Sequence, residues 1–125
     1  MDKSKNFVLW FNGLSIADVP LVGGKNASLG EMYRHLTQKG VKIPNGFAVT
    51  AFAYDCFLEK AKIKDDIKKI LKNLDKSKGN LKDIGKRARE TILKAELPKE
   101  LKEEIINAYG KLCRQYGANA DVAVR

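Results

Sequence analysis

The stretch Val19–Leu36, VPLVGGKNASLGEMYRHL, places two glycines and a lysine directly before an amphipathic helical pattern. Asn26 suits the N-cap of that helix, and Ser28 with Glu31 has the S-x-x-E spacing of a capping box. The pattern therefore predicts a helix that begins near Asn26 and ends at Gly40, a residue type that tolerates the left-handed conformation common at helix ends.

The predicted helix has one apolar face, because its apolar residues recur at i, i+3, i+4 and i+7: Leu29, Met32, Tyr33 and Leu36. Gly30 inside the helix costs about 1 kcal/mol relative to alanine, and close packing against a sheet would explain it. The preceding segment, SIADVPLVGGKN, is expected to be a loop, since Pro20 argues against a continuous helix there.

Two short strands flank this helix. The run FVLWF at Phe7–Phe11 is β-branched and aromatic and stops at an Asn-Gly turn, and FAVT at Phe47–Thr50 follows a Pro-Asn-Gly turn. Thr50 suits the N-cap of the next helix, AFAYDCFLEKA.

The chain from Ile63 to Tyr116 has a helical pattern, with connectors at Ser77–Asn80 and in the tripeptide ELP. Pro98 suits the first turn of the last helix. The apolar positions of the three helices are Ile67, Ile70, Leu71 and Leu74; Leu81, Ile84, Ala88, Ile92 and Leu93; and Leu101, Ile105, Ile106, Ala108, Tyr109 and Leu112. The fold class is therefore expected to be α+β and helix-rich.

The last residues, ANADVAVR at 118–125, alternate in polarity and predict the beginning of a strand. An isolated domain rarely ends on the first residues of a core strand. We therefore expect residues 1–125 to be an incomplete part of a larger domain.

The glycine turn is the strongest candidate for a site. A helix N-terminus attracts phosphate, Gly23 and Gly24 would let the backbone approach an anion closely, and Lys25 adds a mobile positive charge. The P-loop and G-x-G-x-x-G patterns are both absent. The chemistry alone therefore leaves two interpretations open: a phosphate site, or an ordinary glycine turn beside a solvated lysine.

The composition gives limited guidance on partners. The 24 Lys+Arg against 15 Asp+Glu give a net charge of +9, which is compatible with nucleic acid or with a smaller anion such as a nucleotide. Acidic residues are interspersed among the lysines, and no nucleic-acid-binding motif occurs, so nucleic acid is not favoured. Cys56 and Cys113 form no C-x-x-C motif, and the N-terminus resembles neither a signal peptide nor a membrane span. We expect a cytoplasmic protein with buried thiols and no membrane partner.

No other residues make a convincing site. His35 falls inside the first helix and is expected to be a surface or half-buried residue rather than a catalytic base. The pairs Asp65–Asp66 and Glu103–Glu104 suit helix first turns or surfaces better than a metal site. The aromatic residues are expected to be core rather than a base-stacking platform: Trp10, Tyr33, Phe47, Tyr54 and Phe57.

Three segments resemble the N-terminus of the phosphoenolpyruvate synthase (pyruvate, water dikinase) family. They are FVLWFNGLSIADVPLVGGKNASLGEMYRHL, GVKIPNGFAVTAFAYDCFL and DVAVR. The resemblance is dense from Phe7 to Leu58 and resumes at Val122–Arg125. The sister family, pyruvate, phosphate dikinase, shares the G-G-K turn but usually has glycine where Asn26 stands and lacks the VLWFN opening.

The resemblance implies the first subdomain of an ATP-grasp-type nucleotide-binding domain. It also implies that Lys25 and Arg125 contact ATP phosphates, and that Gly23 and Gly24 shape the approach. The family's Mg²⁺ ligands, its phosphohistidine and its pyruvate-binding domain lie outside the matched region. The resemblance therefore implies no catalytic residue and no metal ligand in this chain, with ATP and Mg²⁺ as cofactors, pyruvate as substrate and the rest of the polypeptide as partner.

Two alternatives remain open at this point. One is a pyruvate, phosphate dikinase or a related phosphotransferase that uses the same nucleotide domain. The other, from a different class, is a stand-alone basic module that binds polyanions. If the resemblance to the phosphoenolpyruvate synthase family holds, the 125-residue chain is not expected to be catalytically competent by itself.

Overall fold

The computed structural model describes residues 2–125 as two compact units, one made of residues 2–54 and 99–125 and the other of Asp55–Pro98. The described chain contains two strands and five α-helices: β1 (Val8–Trp10), α1 (Val19–Thr37), β2 (Phe47–Val49), α2 (Ala51–Lys60), α3 (Lys64–Lys72), α4 (Leu81–Lys94) and α5 (Lys99–Tyr116). This composition confirms the helix-rich α+β class.

The first unit is built on the predicted pair of strands. β1 and β2 are antiparallel, with Leu9 opposite Ala48 at the centre of the register. Trp10 and Phe47, at one end, pack with ring centroids 5.4 Å apart. The core beneath the strands consists of Leu9, Leu14, Val22, Ala27 and Ala48, with Phe11 and Leu21 packed against it.

Thr50 caps α2 as predicted. Its Oγ1 accepts the N–H of Ala53 at 3.1 Å and donates to the carbonyl oxygen of Asn6 at 2.6 Å. The side chain is 2% exposed, so both hydrogen bonds are shielded from water. This one hydroxyl links the start of α2 to the residues before β1.

The helix begins at Val19 and not near Asn26, but the non-helical Gly23 interrupts it, so the predicted start lies close to the beginning of its second segment. Pro20 lies in the first turn, where a missing N–H costs nothing. Asn26 is inside the helix, and its side chain donates to the carbonyl oxygen of Val22. The segment before α1 is also not a plain loop, because Phe11–Gly13 and Ile16–Asp18 form 3₁₀ turns.

The face of α1 differs in part from the predicted one. The buried residues are Val22, Ala27 and Gly30, whereas Met32 is 43% exposed. Gly30 packs closely as expected, but against Leu14 of the preceding segment instead of a sheet. The helix ends as predicted near Gly40, which has a φ of +82°.

The second unit, Asp55–Pro98, contains the end of α2 and the hairpin of α3 and α4. α3 packs on α4, and Ile67 of α3 and Ile84 of α4 are buried. Several residues of the predicted apolar stripes are exposed in the described chain: Leu71, Leu81, Leu93 and, in α5, Ile106 and Tyr109.

Residues 118–125 do not form the predicted strand. An alternating sequence becomes a strand only when another strand hydrogen-bonds to it, and neither β1 nor β2 pairs with this segment. Val122 and Val124 are accordingly exposed. Cys56 and Cys113 are free thiols but half-buried rather than fully buried.

Candidate functional site

Helix α1 is interrupted by a kink at Gly23. This residue has φ +80° and ψ 164°, which is not helical, so α1 consists of two helical segments joined at this point. That combination of angles is essentially restricted to glycine. Gly23, Gly24 and Lys25 are all exposed on the kink.

The kink gives the second segment of α1 an N-terminal turn of its own. N–H groups in the first turn of a helix lack helical carbonyl partners and carry a partial positive charge. A Cβ built on Gly23 or Gly24 would meet nothing within 4 Å, so the backbone is open to solvent on both residues. The turn and the Lys25 ammonium together form a surface suited to an anion.

The segment before the kink is fixed by Asp18. Its Oδ2 accepts from Lys3 Nζ at 2.9 Å and from the N–H of Ser15 at 2.8 Å. Lys3 Nζ also donates to the carbonyl oxygen of Gly13 at 2.6 Å. The hydrogen bond from Lys3, followed by that from Ser15, lowers the pKa of the buried Asp18 carboxyl against the opposing effect of burial. Asp18 is therefore ionised at neutral pH and anchors the residues that lead into α1.

The segment after the kink is fixed by Glu31. Its Oε1 accepts the N–H of Ile16 at 2.7 Å, and its Oε2 pairs with His35 Nε2 at 3.0 Å. The hydrogen bond from Ile16 is the main cause that lowers the pKa of Glu31. The predicted capping box with Ser28 does not form, because the carboxylate is used to tie α1 to the preceding 3₁₀ turn. His35 is exposed, as expected.

Three of the four predicted site residues are neighbours in the sequence and lie together on the kink. Gly23, Gly24 and Lys25 are consecutive on the kink, whereas Arg125 lies at the end of the irregular segment that follows α5. Within residues 2–125, no carboxylate forms an ion pair with Lys25 or Arg125. Neither positive charge is neutralised by the described chain.

Sequence reasoning did not find the positioning roles of Lys3 and Asp18, and it gave Glu31 a different partner, Ser28. The S-x-x-D spacing of Ser15 and Asp18 is the one local signal for them. Asp18 bonds to Lys3 and Glu31 bonds to Ile16, and each of these two pairs is separated by fifteen residues. No short sequence pattern predicts pairs at that separation.

Residues 2–125 contain no group of three or more His, Cys, Asp or Glu side chains that could hold a metal ion. Over the same residues, no helix is long and apolar enough to cross a membrane.

Comparison with known proteins identifies the family. The model of the family described as "Pyruvate phosphate dikinase, AMP/ATP-binding domain" matches residues 19–125, from the first residue of α1 onward. The chain belongs to this family.

The chain is similar to phosphoenolpyruvate synthases. It is 48% identical to the one from Aquifex aeolicus over 100% of the chain, 43% identical to the one from Synechocystis over 98% of the chain, and 45% identical to the one from Neisseria meningitidis over 96% of the chain. The alignments cover 15%, 16% and 15% of these relatives, respectively. The chain thus spans about 15% of the length of the curated relatives that it matches.

Proposed function

We propose that the kink of α1 binds the phosphates of ATP, with Lys25 as the cation and Gly23 and Gly24 shaping the approach. The observation that carries this proposal is the glycine-only conformation of Gly23 directly before an exposed, unneutralised Lys25. Membership of an AMP/ATP-binding domain family supports ATP over other anions.

Arg125 is the second phosphate-binding cation in this proposal. Its guanidinium presents a planar set of donors that fits two phosphate oxygens at once. Phosphoryl transfer depends largely on positioning and charge neutralisation, so two cations from different elements suit a triphosphate. Support for Arg125 comes from the V-A-V-R resemblance and from the absence of an ion pair to it within residues 2–125.

We further propose that residues 1–125 are the N-terminal part of the ATP-binding domain of a phosphoenolpyruvate synthase. Their fold would be the first subdomain of an ATP-grasp-type domain. The names and the 41–48% identities of the relatives support this. The complete protein would convert ATP, pyruvate and water to AMP, phosphoenolpyruvate and phosphate, through a phosphohistidine outside this chain.

The proposal assigns Mg²⁺ binding to other parts of the polypeptide. The kink contributes the positive charge of Lys25 and main-chain N–H donors. We place the protein in the cytoplasm, where the free thiols of Cys56 and Cys113 would remain reduced.

The phosphate role of Lys25 is tested by calorimetric titration of ATP, with Mg²⁺ present, into the whole encoded polypeptide and its Lys25→Ala variant. We expect a Kd roughly tenfold or more higher, because a charge-assisted hydrogen bond to phosphate is lost. Lys39→Ala is the matched control, since Lys39 is an exposed lysine just beyond the other end of α1. An unchanged Kd for Lys25→Ala would refute the role.

The activity is tested separately with the whole polypeptide, ATP and pyruvate. We expect AMP and inorganic phosphate as products without any need for added phosphate. Strict dependence on added phosphate, with pyrophosphate as a product, would replace the synthase by a pyruvate, phosphate dikinase.

A further inference from the structure

Helix α5 carries two tyrosines, Tyr109 and Tyr116, whose hydroxyl groups each bond to backbone outside the helix. The N–H of Asn45 donates to Tyr116 Oη at 2.6 Å, and Tyr109 Oη donates to the carbonyl oxygen of Ala120 at 2.9 Å. The two residues are seven positions apart and so lie on the same side of the helix. One side of α5 therefore holds two non-helical segments in place.

The Tyr109 bond shows that the chain turns back along α5 after the helix ends. Gly117 (φ +111°) and Asn119 (φ +55°) both have left-handed backbone angles, which reverse the chain direction within a few residues. The N–H of Gly117 also closes the helix end on the carbonyl oxygen of Cys113 at 2.8 Å. Ala120 is thereby brought to the level of Tyr109, about two helical turns before the end of α5.

The hydroxyl of Tyr109 is well suited to remain a donor. A side-chain hydrogen bond with Cys113, one turn along the helix, is the main cause that raises the pKa of Tyr109 above its usual value of 10.0. A phenol with a pKa above this value carries its proton at neutral pH, so it can donate to the Ala120 carbonyl.

The hydrogen bond between Tyr109 and Ala120 holds one point of the segment that leads to Arg125. Residues 117–125 have no regular structure, so their backbone must be ordered when Arg125 binds a ligand. Ordering the backbone costs roughly 1–2 kcal/mol per residue. The Tyr109 hydrogen bond fixes the backbone in advance at Ala120, five residues before Arg125.

We propose that Tyr109 is a positioning residue for Arg125: its hydroxyl holds the segment that presents the guanidinium to the phosphates of ATP. This inference rests on the proposed function. Tyr109 does not touch the ligand in this account. It lowers the entropic cost of the Arg125 contact.

The test is a double-mutant cycle in the whole encoded polypeptide, read out as the Kd for ATP with Mg²⁺. Tyr109→Phe removes the hydroxyl and keeps the ring. We expect it to raise the Kd roughly threefold to tenfold, which corresponds to the loss of one hydrogen bond. In the Arg125→Ala background the same change should have no effect, because there is no guanidinium left to position.

Tyr33→Phe is the matched control. Tyr33 is half-buried on α1, and its hydroxyl forms no hydrogen bond within residues 2–125, so this variant should bind ATP normally. The control separates the loss of the Ala120 bond from a general effect of removing a phenolic hydroxyl.

Three results would overturn the inference. If Tyr109→Phe weakens binding equally with and without Arg125, Tyr109 has only a general structural role. If Arg125→Ala weakens binding but Tyr109→Phe does not, the tether is irrelevant while the proposed function stands. If Arg125→Ala itself binds ATP normally, the role of Arg125 in the proposed function fails, and the positioning role fails with it.

Discussion

Gly30 and Leu14 are in direct contact, with no room for a side chain between them. A Cβ built on Gly30 would lie 2.5 Å from the Cβ of Leu14 and 3.0 Å from its carbonyl oxygen. Leu14 is 0% exposed. The contact sets how closely α1 approaches the segment before it, and that segment leads into the kink at Gly23.

Gly30→Ala should lower the free energy of unfolding by about 1–3 kcal/mol. The added methyl group would overlap backbone as well as side chain of Leu14, and overpacking of this kind outweighs the gain of about 1 kcal/mol in helix propensity. Urea unfolding measures the change. Gly110→Ala on α5 is the matched control, since its nearest atom is an Arg114 nitrogen at 3.7 Å, and it should be neutral or stabilising. Equal effects of the two changes would show that the contact with Leu14 is not tight.

Gly23→Ala and Gly24→Ala should differ sharply. The first residue has φ +80° and ψ 164°, so alanine there would cost about 1–3 kcal/mol of strain or would remove the kink. The second has no positive φ and nothing within 4 Å of its Cβ position, so alanine there should leave the free energy of unfolding nearly unchanged. Chemical denaturation compares the two. Similar stability of both variants would contradict the observed kink.

Asp18→Asn should reduce stability at neutral pH and flatten its dependence on pH in the acid range. The pKa of Asp18 is lowered in the folded state, chiefly by Lys3, so its contribution is complete above the unfolded value of about 3.8. That contribution is lost as the pH falls through the lower, folded value. The difference in unfolding free energy between wild type and variant should therefore shrink below about pH 4. A difference that stays constant from pH 7 to pH 2 would contradict ionisation-linked stabilisation by Asp18.

Thr50→Val should cost about 1–3 kcal/mol of unfolding free energy, because it leaves the N–H of Ala53 and the carbonyl of Asn6 without their buried partner. Thr50→Ser retains the hydroxyl and should lose considerably less. Thermal unfolding of both variants makes the comparison. If serine is as damaging as valine, packing of the methyl group matters more than the two hydrogen bonds.

The sequence predicted the elements whose signals are local. The strands at Val8–Trp10 and Phe47–Val49 are apolar runs bounded by turn residues, and the Thr50 cap acts within three residues. The first turn of α1, before the kink at Gly23, is not predicted, because proline in a helix interior acts as a helix breaker. The structure places Pro20 in the first turn of α1, where proline is tolerated.

The remaining errors involve partners that are distant in sequence. Glu31 has the spacing of a capping box with Ser28, but its carboxylate accepts the N–H of Ile16, fifteen residues upstream. The spacing therefore predicts the wrong partner for Glu31. The alternation in residues 118–125 specifies a strand only in the presence of a neighbouring strand. At the candidate site, the exposed glycines and Lys25 follow from the sequence. The ion pair of Lys3 and Asp18 that anchors the turn could be found only in the structure, because the two residues are fifteen positions apart in the sequence.

Binding of phosphate by Lys25 at the kink can be tested by comparing ATP with adenosine. Both ligands are titrated by calorimetry into the whole encoded polypeptide and into its Lys25→Ala variant. We expect the substitution to raise the Kd for ATP roughly tenfold or more and to leave the Kd for adenosine unchanged, because adenosine has no phosphate for Lys25 to contact. Equal weakening of both ligands, or no change for ATP, would contradict phosphate binding by Lys25.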